Sequence, residues 1–188
     1  MAHKFNPEHI ARLLSDERKK ALDPERVLRD AGLKEGNFFA DIGSGPGFFT
    51  IPASKIIGMT GVAFAIDTQE EMLLDLRERN PPDNIVLLLS EEDNIPLGDS
   101  ETDFALLAYM LHETVNRDVF LKEVKRVVRP GGTLLVIDWK KQKEEHGPPE
   151  QERLTETEVA GLLAKAGFSV ESITALNPSH YRVLARKV

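Results

Sequence analysis

The sequence predicts an α/β fold with a doubly wound, mostly parallel sheet, a helical lead-in and an antiparallel hairpin at its end. Short apolar runs alternate along the chain with segments that are apolar on one helical face. Continuously apolar strands are typical of parallel sheets that helices cover on both faces. The last two apolar runs are joined by Asn177-Pro178-Ser179, which predicts a hairpin.

The helical lead-in is predicted from capping signals. Asn6-Pro7 and Asp23-Pro24 each place a capping side chain before a proline at the first helical position. Gly32 is the expected end of the second of these helices. Since 188 residues fit one domain, we predict a single domain, with residues 1–35 as a helical lead-in or lid and residues 36–188 as the core.

The core alternates strands and helices. Strands are predicted over residues 38–42, 62–66, 85–89, 104–108, 133–138, 168–176 and 181–186. One helix is predicted over residues 48–57, a second after a capping box of Thr68 and Glu71, and a third before Pro130-Gly131-Gly132. A fourth is predicted between a second capping box, Thr155 and Glu158, and the glycine at 167. The polar stretch from residue 140 to 152 is expected to be a loop.

Composition limits the classes of partner. The net charge of −7 disfavours nucleic acid, which usually binds a basic face. The absence of cysteine excludes disulfides, thiolate metal sites and a cysteine nucleophile. No apolar run is long enough to span a membrane, so we expect a cytoplasmic protein. A homo-oligomer is left open.

A glycine loop follows the first predicted strand. Residues 41–47 read Asp-Ile-Gly-Ser-Gly-Pro-Gly, and Asp67 ends the next strand, where a carboxylate suits a ribose diol. A dinucleotide fingerprint would need its third glycine at position 48, which is Phe48. Asp41 would repel a pyrophosphate but suits an ammonium group. These features favour S-adenosylmethionine over a dinucleotide.

Five segments in order resemble the class I S-adenosylmethionine-dependent methyltransferases, in the subgroup similar to the quinone-biosynthesis C-methyltransferases. They are the glycine loop 41–47, Ala65-Ile-Asp67, residues 90–96, residues 103–112 and residues 121–132. The resemblance implies a seven-stranded Rossmann-like sheet, with S-adenosylmethionine as cofactor and S-adenosylhomocysteine as product. It leaves the acceptor unnamed, and we expect a small molecule.

The resemblance also implies cofactor contacts. Asp41, Gly43, Ser44, Gly45 and Gly47 would lie along the methionine part, with Ala108 and Tyr109 lining the same pocket. Asp67 would bind both ribose hydroxyls. Thr68 and Met72 would flank the adenine, Glu91 would meet its amino group, and Glu92 would offer a backbone N–H. The family usually has Gly-Asp-Ala where this chain has Ser90-Glu91-Glu92.

Few residues are candidates for catalysis, because methyl transfer mainly requires alignment of donor and acceptor. A base is needed only if the acceptor must lose a proton. His112 follows the fourth strand, and His180 and Tyr181 begin the last one, on the side of the parallel strands' carboxyl ends. We predict His112 and Tyr181 as catalytic residues. No short metal-ligand motif links the histidines, so no metal is expected.

Two other functions stay open. One is a dinucleotide-dependent oxidoreductase, which the glycine spacing disfavours. The other is a non-catalytic S-adenosylmethionine-binding or regulatory subunit, which would keep the same cofactor residues.

Overall fold

A computed structural model describes residues 10–188 of the chain. Within them, the seven-stranded sheet has the order β3-β2-β1-β4-β5-β7-β6. The strands are β1 (Phe38–Ile42), β2 (Val62–Asp67), β3 (Ile85–Leu89), β4 (Thr102–Ala108), β5 (Val128–Trp139), β6 (Phe168–Ala175) and β7 (His180–Lys187). The pairs among β1 to β5 are parallel, and β7 runs antiparallel to both β5 and β6. The predicted doubly wound sheet with its closing hairpin is confirmed.

Helices cover both faces of the sheet. They are α1 (Ile10–Leu13), α2 (Asp16–Leu22), α3 (Pro24–Asp30), α4 (Thr50–Ile57), α5 (Glu70–Glu78), α6 (Arg117–Val127) and α7 (Glu156–Ala166), with a short 3-10 turn at Glu150–Glu152. Leu106 and Leu107 are adjacent and both fully buried, yet they belong to different apolar clusters. Leu106 packs on the side of α3 and α4, and Leu107 on the side of α6 and α7. Burial on both faces explains why the strand sequences are continuously apolar.

Most of the predicted helix caps are observed. The Asp23 side chain accepts from the Arg26 N–H at the start of α3. Thr155 and Glu158 form the reciprocal capping box of α7. The capping box predicted from Thr68 is wrong, because α5 starts at Glu70 after Gln69, which makes no side-chain cap bond. The predicted Asn6-Pro7 cap lies outside the described residues.

The sheet reverses its strand order between β1 and β4. From β1 the chain moves outward to β2 and β3, then returns to place β4 on the other side of β1. In open sheets of this kind, ligands bind outside the carboxyl ends of the strands at this reversal. The glycine loop after β1 and the turn after β4 lie at that place. Among residues 10–188, no helix is long and apolar enough to cross a membrane.

Candidate active site

The glycine loop has a backbone that only glycine adopts readily. Gly43, Gly45 and Gly47 have φ values of 76°, 52° and 85°. A Cβ atom built on Gly47 would lie 2.7 Å from Leu76 Cδ1, and one on Gly43 would lie 3.0 Å from Met110 Cγ. Positive φ and close packing together require the absence of side chains. The loop therefore exposes bare backbone at the carboxyl edge of the sheet.

Asp67 ties the end of β2 to this loop. Its Oδ2 accepts from the Gly45 N–H at 2.7 Å, and its Oδ1 accepts from the Gln69 N–H at 2.9 Å. The amides of Gly43 and Ser44 both donate to the Ile66 carbonyl, which brings the same strand end against the loop. The predicted pairing of the loop with Asp67 is thus a direct contact.

Asp41 is a buried carboxylate beneath the loop. It is 1% exposed, and its Oδ2 accepts from Thr50 Oγ1 at 2.6 Å. Burial raises the pKa of Asp41 to about 7; the Thr50 hydrogen bond opposes this, and the negative charge of Asp67 adds to it. A cation bound nearby would favour the ionised form of Asp41. The site is therefore suited to an ammonium or sulfonium group.

The four residues predicted near the adenine differ in their exposure and in their contacts. Thr68 is exposed beside Asp67, whereas Met72 is fully buried in α5. Glu91 is exposed and forms an isolated bridge with Asn94. The Glu92 side chain accepts from the Val115 N–H at 2.7 Å, which links the turn after β3 to the turn after β4. The roles predicted for these four residues stay predictions.

His112 forms a buried pair with Asp138. Nδ1 of His112 lies 2.7 Å from Asp138 Oδ1, and Nε2 lies 3.7 Å from Glu113 Oε1. Burial lowers the pKa of His112, but the hydrogen bond and charge of Asp138 outweigh it, and the net shift is upward. The pair joins the segment after β4 to the end of β5. The catalytic role predicted for His112 stays a prediction.

An aromatic cluster takes its rings from the residue after β4, the last residue of β5 and the first residue of β7. We call Tyr109, Trp139 and His180 the aromatic slot. The His180 ring centroid is 4.2 Å from that of Trp139 and 5.0 Å from that of Tyr109. Tyr109 has a φ of 60°, a backbone angle that is uncommon for residues other than glycine and that clusters at functional sites.

Arg18 of α2 joins the slot to the glycine loop. Its guanidinium carbon lies 4.3 Å from the ring centroid of Phe48, the residue after Gly47, and 5.2 Å from that of Tyr109. A cation over an aromatic face is attracted by the ring quadrupole. Near Arg18, Leu13 Cδ1 lies 4.0 Å from a Cβ built on Gly45. The lead-in helices therefore contact the loop and the slot.

Arg153 organises the loop between β5 and α7. The side chain is buried, and its guanidinium donates to the carbonyls of four loop residues and to Glu144 Oε2 at 2.6 Å. The four carbonyls belong to Lys140, Gln142, His146 and Pro148. The Arg153 guanidinium carbon also lies 5.0 Å from the Trp139 ring centroid. One cation thus fixes the loop against the aromatic slot.

Comparison with known proteins agrees with this geometry. Residues 40–136, just over half of the chain, match the family model described as a methyltransferase domain. The structure of a SAM-dependent methyltransferase from Aquifex aeolicus is 39% identical, with a TM-score of 0.93 over 98% of this chain and all of that one. The chain belongs to the S-adenosylmethionine-dependent methyltransferases. Its cofactor is S-adenosylmethionine.

Other relatives are more distant or only partly matched. Demethylmenaquinone methyltransferase from Staphylococcus aureus is 31% identical over 115 residues, which are 61% of this chain and 48% of that protein. The chain thus spans about half the length of the curated relatives it matches. An S-adenosylmethionine-dependent methyltransferase from Mesorhizobium loti is 18% identical, with a TM-score of 0.73 over 86% of this chain and 96% of that one, and shows the fold alone.

Tyr181, the second residue predicted to be catalytic, lies in the core of this methyltransferase. It is fully buried, and its hydroxyl donates to the Leu154 carbonyl at 3.0 Å. Because side chains alternate along a strand, Tyr181 points to the opposite face from His180. It packs in the apolar cluster on the side of α6 and α7. These contacts are those of a core residue, and the catalytic role predicted for Tyr181 stays a prediction.

Three site residues were not predicted from the sequence: Arg18, Trp139 and Arg153. The position of Trp139 at the carboxyl end of β5 is a usable signal, since that edge carries the ligand site. Arg18 and Arg153 lie in ordinary charged segments and have no local signal. Only the packing of α2 and of the loop after β5 brings them to the site.

Proposed function

We propose that this methyltransferase transfers the methyl group of S-adenosylmethionine to a small-molecule acceptor by in-line displacement. The observation that carries this proposal is the contact between the glycine loop and Asp67 at the strand reversal, with the buried Asp41 beneath it. The bare backbone and the two acids match an amino-acid moiety and a ribose on one ligand.

The residues of the chain divide the work. The glycine loop and Asp41 would hold the amino-acid part of the cofactor, and Asp67 would accept from the ribose hydroxyls. The bound cofactor supplies a methyl group that its positive sulfur already activates. The protein then has to align the acceptor with that methyl group and keep water out. The aromatic slot is the surface next to the loop that supports an acceptor role.

The helices and the loop that cover the site limit the size of the acceptor. Arg18 and Leu13 lie over the loop and the slot, and the Arg153-held loop borders Trp139. These contacts support the lid predicted from residues 1–35, of which residues 1–9 lie outside the described part of the chain. Deleting residues 1–20 should weaken both cofactor binding and turnover. Unchanged turnover and affinity would rule out the lid.

The function is tested by binding and by product formation. Calorimetry should show binding of S-adenosylmethionine and S-adenosylhomocysteine, and no binding of NAD. An acceptor panel should then yield S-adenosylhomocysteine together with a methylated product. The panel should include demethylmenaquinol, because the Staphylococcus aureus relative is named for demethylmenaquinone, and simple phenols. Binding of NAD alone would overturn the proposal, and cofactor binding without turnover of any acceptor would favour a binding subunit.

A further inference from the structure

The aromatic slot contains polar atoms that no protein group satisfies. Within the described part of the chain, the Tyr109 hydroxyl and both ring nitrogens of His180 are buried without a hydrogen-bond partner. Buried polar groups nearly always have a hydrogen-bond partner, so buried atoms without one require an explanation. Three of them in one slot, beside the glycine loop, fit a ligand that both accepts and donates hydrogen bonds.

Arg18 adds a positive charge to the same place. Its guanidinium donates to the Leu13 carbonyl and lies near the rings of Phe48 and Tyr109. Among the described residues, no carboxylate forms an ion pair with it. Burial lowers the pKa of Arg18, while the neighbouring Tyr109 opposes the shift. A half-buried cation without a counter-ion is stabilised by an anion. The slot therefore combines flat rings, hydrogen-bonding atoms and a cation.

We propose that His180 is the general base of the reaction and that the acceptor is a phenol, whose oxygen is held by Tyr109 and Arg18. This inference rests on the proposed methyl transfer. The rings of Trp139 and Tyr109 suit a flat acceptor. The acceptor hydroxyl gives its proton to a His180 nitrogen. Its oxygen then bonds to the methyl carbon while the carbon–sulfur bond breaks with its electron pair on sulfur. A methyl ether forms, and His180 returns the proton to solvent.

His180 differs from His112 in its hydrogen bonding: Asp138 occupies Nδ1 of His112, whereas neither ring nitrogen of His180 has a partner among the described residues. Burial lowers the pKa of His180 to about 4. Glu144 and Asp138 oppose that shift, whereas the charges of Arg18 and Arg153 add to it. The ring is therefore neutral in the free protein but weakly basic, so it accepts a proton only from a phenol whose acidity the neighbouring Arg18 charge has raised. A phenolate next to the ring would raise the pKa of His180, because an opposite charge favours the charged form.

The first experiment measures binding rather than turnover. The full chain is saturated with S-adenosylhomocysteine and titrated with para-nitrophenol, whose ionised form absorbs visible light. We expect the bound phenol to ionise about one pH unit below the free phenol, because the Arg18 charge favours the anion. Arg18→Gln should abolish that shift. No binding of para-nitrophenol, or the same ionisation in both proteins, would overturn the inference.

The second experiment separates a base from a merely structural histidine. His180→Gln should lower kcat about a hundredfold with a weakly acidic phenol, which needs a base. With para-nitrophenol at alkaline pH the loss should be less than about threefold, because that phenol is already ionised. The control is Lys122→Gln, an exposed position on α6 away from the slot, which should leave both rates unchanged.

The outcomes distinguish this inference from the proposed function. If S-adenosylhomocysteine binds to wild-type protein and to His180→Gln with equal affinity, the variant is folded and the cofactor site intact. Equal losses with both phenols, or no loss with either, would then overturn the role of His180 while methyl transfer stands. If S-adenosylhomocysteine does not bind to wild-type protein, the proposed function itself fails.

Discussion

The two halves of the site are built in different ways. The cofactor half, at the ends of β1 and β2, consists of a short contiguous loop and one acid that contacts it. The proposed acceptor half, at the ends of β4 and β5 and the start of β7, takes its side chains from positions 18 to 180. The cofactor half depends mainly on backbone conformation, and the acceptor half depends mainly on side-chain packing. A change in one half should therefore leave the other largely intact.

The strongest test of the cofactor half is Asp67→Ala. We expect the dissociation constant of S-adenosylhomocysteine to rise about a hundredfold, because the substitution would remove the proposed hydrogen bonds to the two ribose hydroxyls and the observed one from the Gly45 N–H. Calorimetry measures the change, and Asp83→Ala, an exposed acid before β3, is the control. Binding of para-nitrophenol should change far less. An equal loss of both ligands would break the distinction between the two halves.

Arg153→Met tests the acceptor half. The substitution leaves several loop carbonyls without their buried donor, so the free energy of unfolding should fall by about 2 kcal/mol. Acceptor KM should rise while the dissociation constant of S-adenosylhomocysteine stays within about twofold, because these contacts are remote from the glycine loop. Hydrogen exchange should show faster exchange in residues 140–149.

The control for Arg153 is Arg29→Met, which removes an exposed ion pair with Glu25. A pair of this kind contributes less than about 1 kcal/mol, so stability should hardly change. A weakened cofactor affinity in Arg153→Met, with no change in acceptor KM, would contradict our assignment of the loop.

The smallest expected effect is the pH dependence of cofactor binding through Asp41. The free protein holds the pKa of Asp41 at about 7, and a bound ammonium group would lower it. Affinity for S-adenosylhomocysteine should therefore rise about tenfold from pH 6 to pH 8, with release of a proton on binding near pH 6. Calorimetry in buffers of different ionisation enthalpy counts the proton.

Asp41→Asn should lose both the pH dependence and the proton release. The sign of the stability effect is opposite to that of affinity. An acid whose pKa is raised by folding stabilises the free protein at low pH, and that contribution disappears as the pH rises through about 7. The free Asn variant should therefore lose less stability than wild type between pH 5 and pH 8. A proton release that persists in the variant would assign the titration to another group.

Sequence patterns predicted the fold more completely than the site. The apolar strands, the glycine loop and the α7 capping box each depend on local periodicity or spacing, and each is observed. The α5 capping box failed because the Asp67 carboxylate accepts from the Gln69 amide and directs the chain into the helix instead of Thr68. Neighbouring residues in a strand also differed in role, since His180 faces the slot and Tyr181 the core.

The sequence by itself determined the sheet, the glycine loop and the acid at its side, because backbone conformation and burial depend on residues that are close along the chain. It also determined the cofactor, through the missing glycine at position 48 and the acids at 41 and 67. Only the tertiary structure decided which side chains meet at the acceptor half. Arg18, Tyr109, Trp139 and His180 belong to four separate segments, and their contacts exist only once the helices and the last hairpin pack against the sheet.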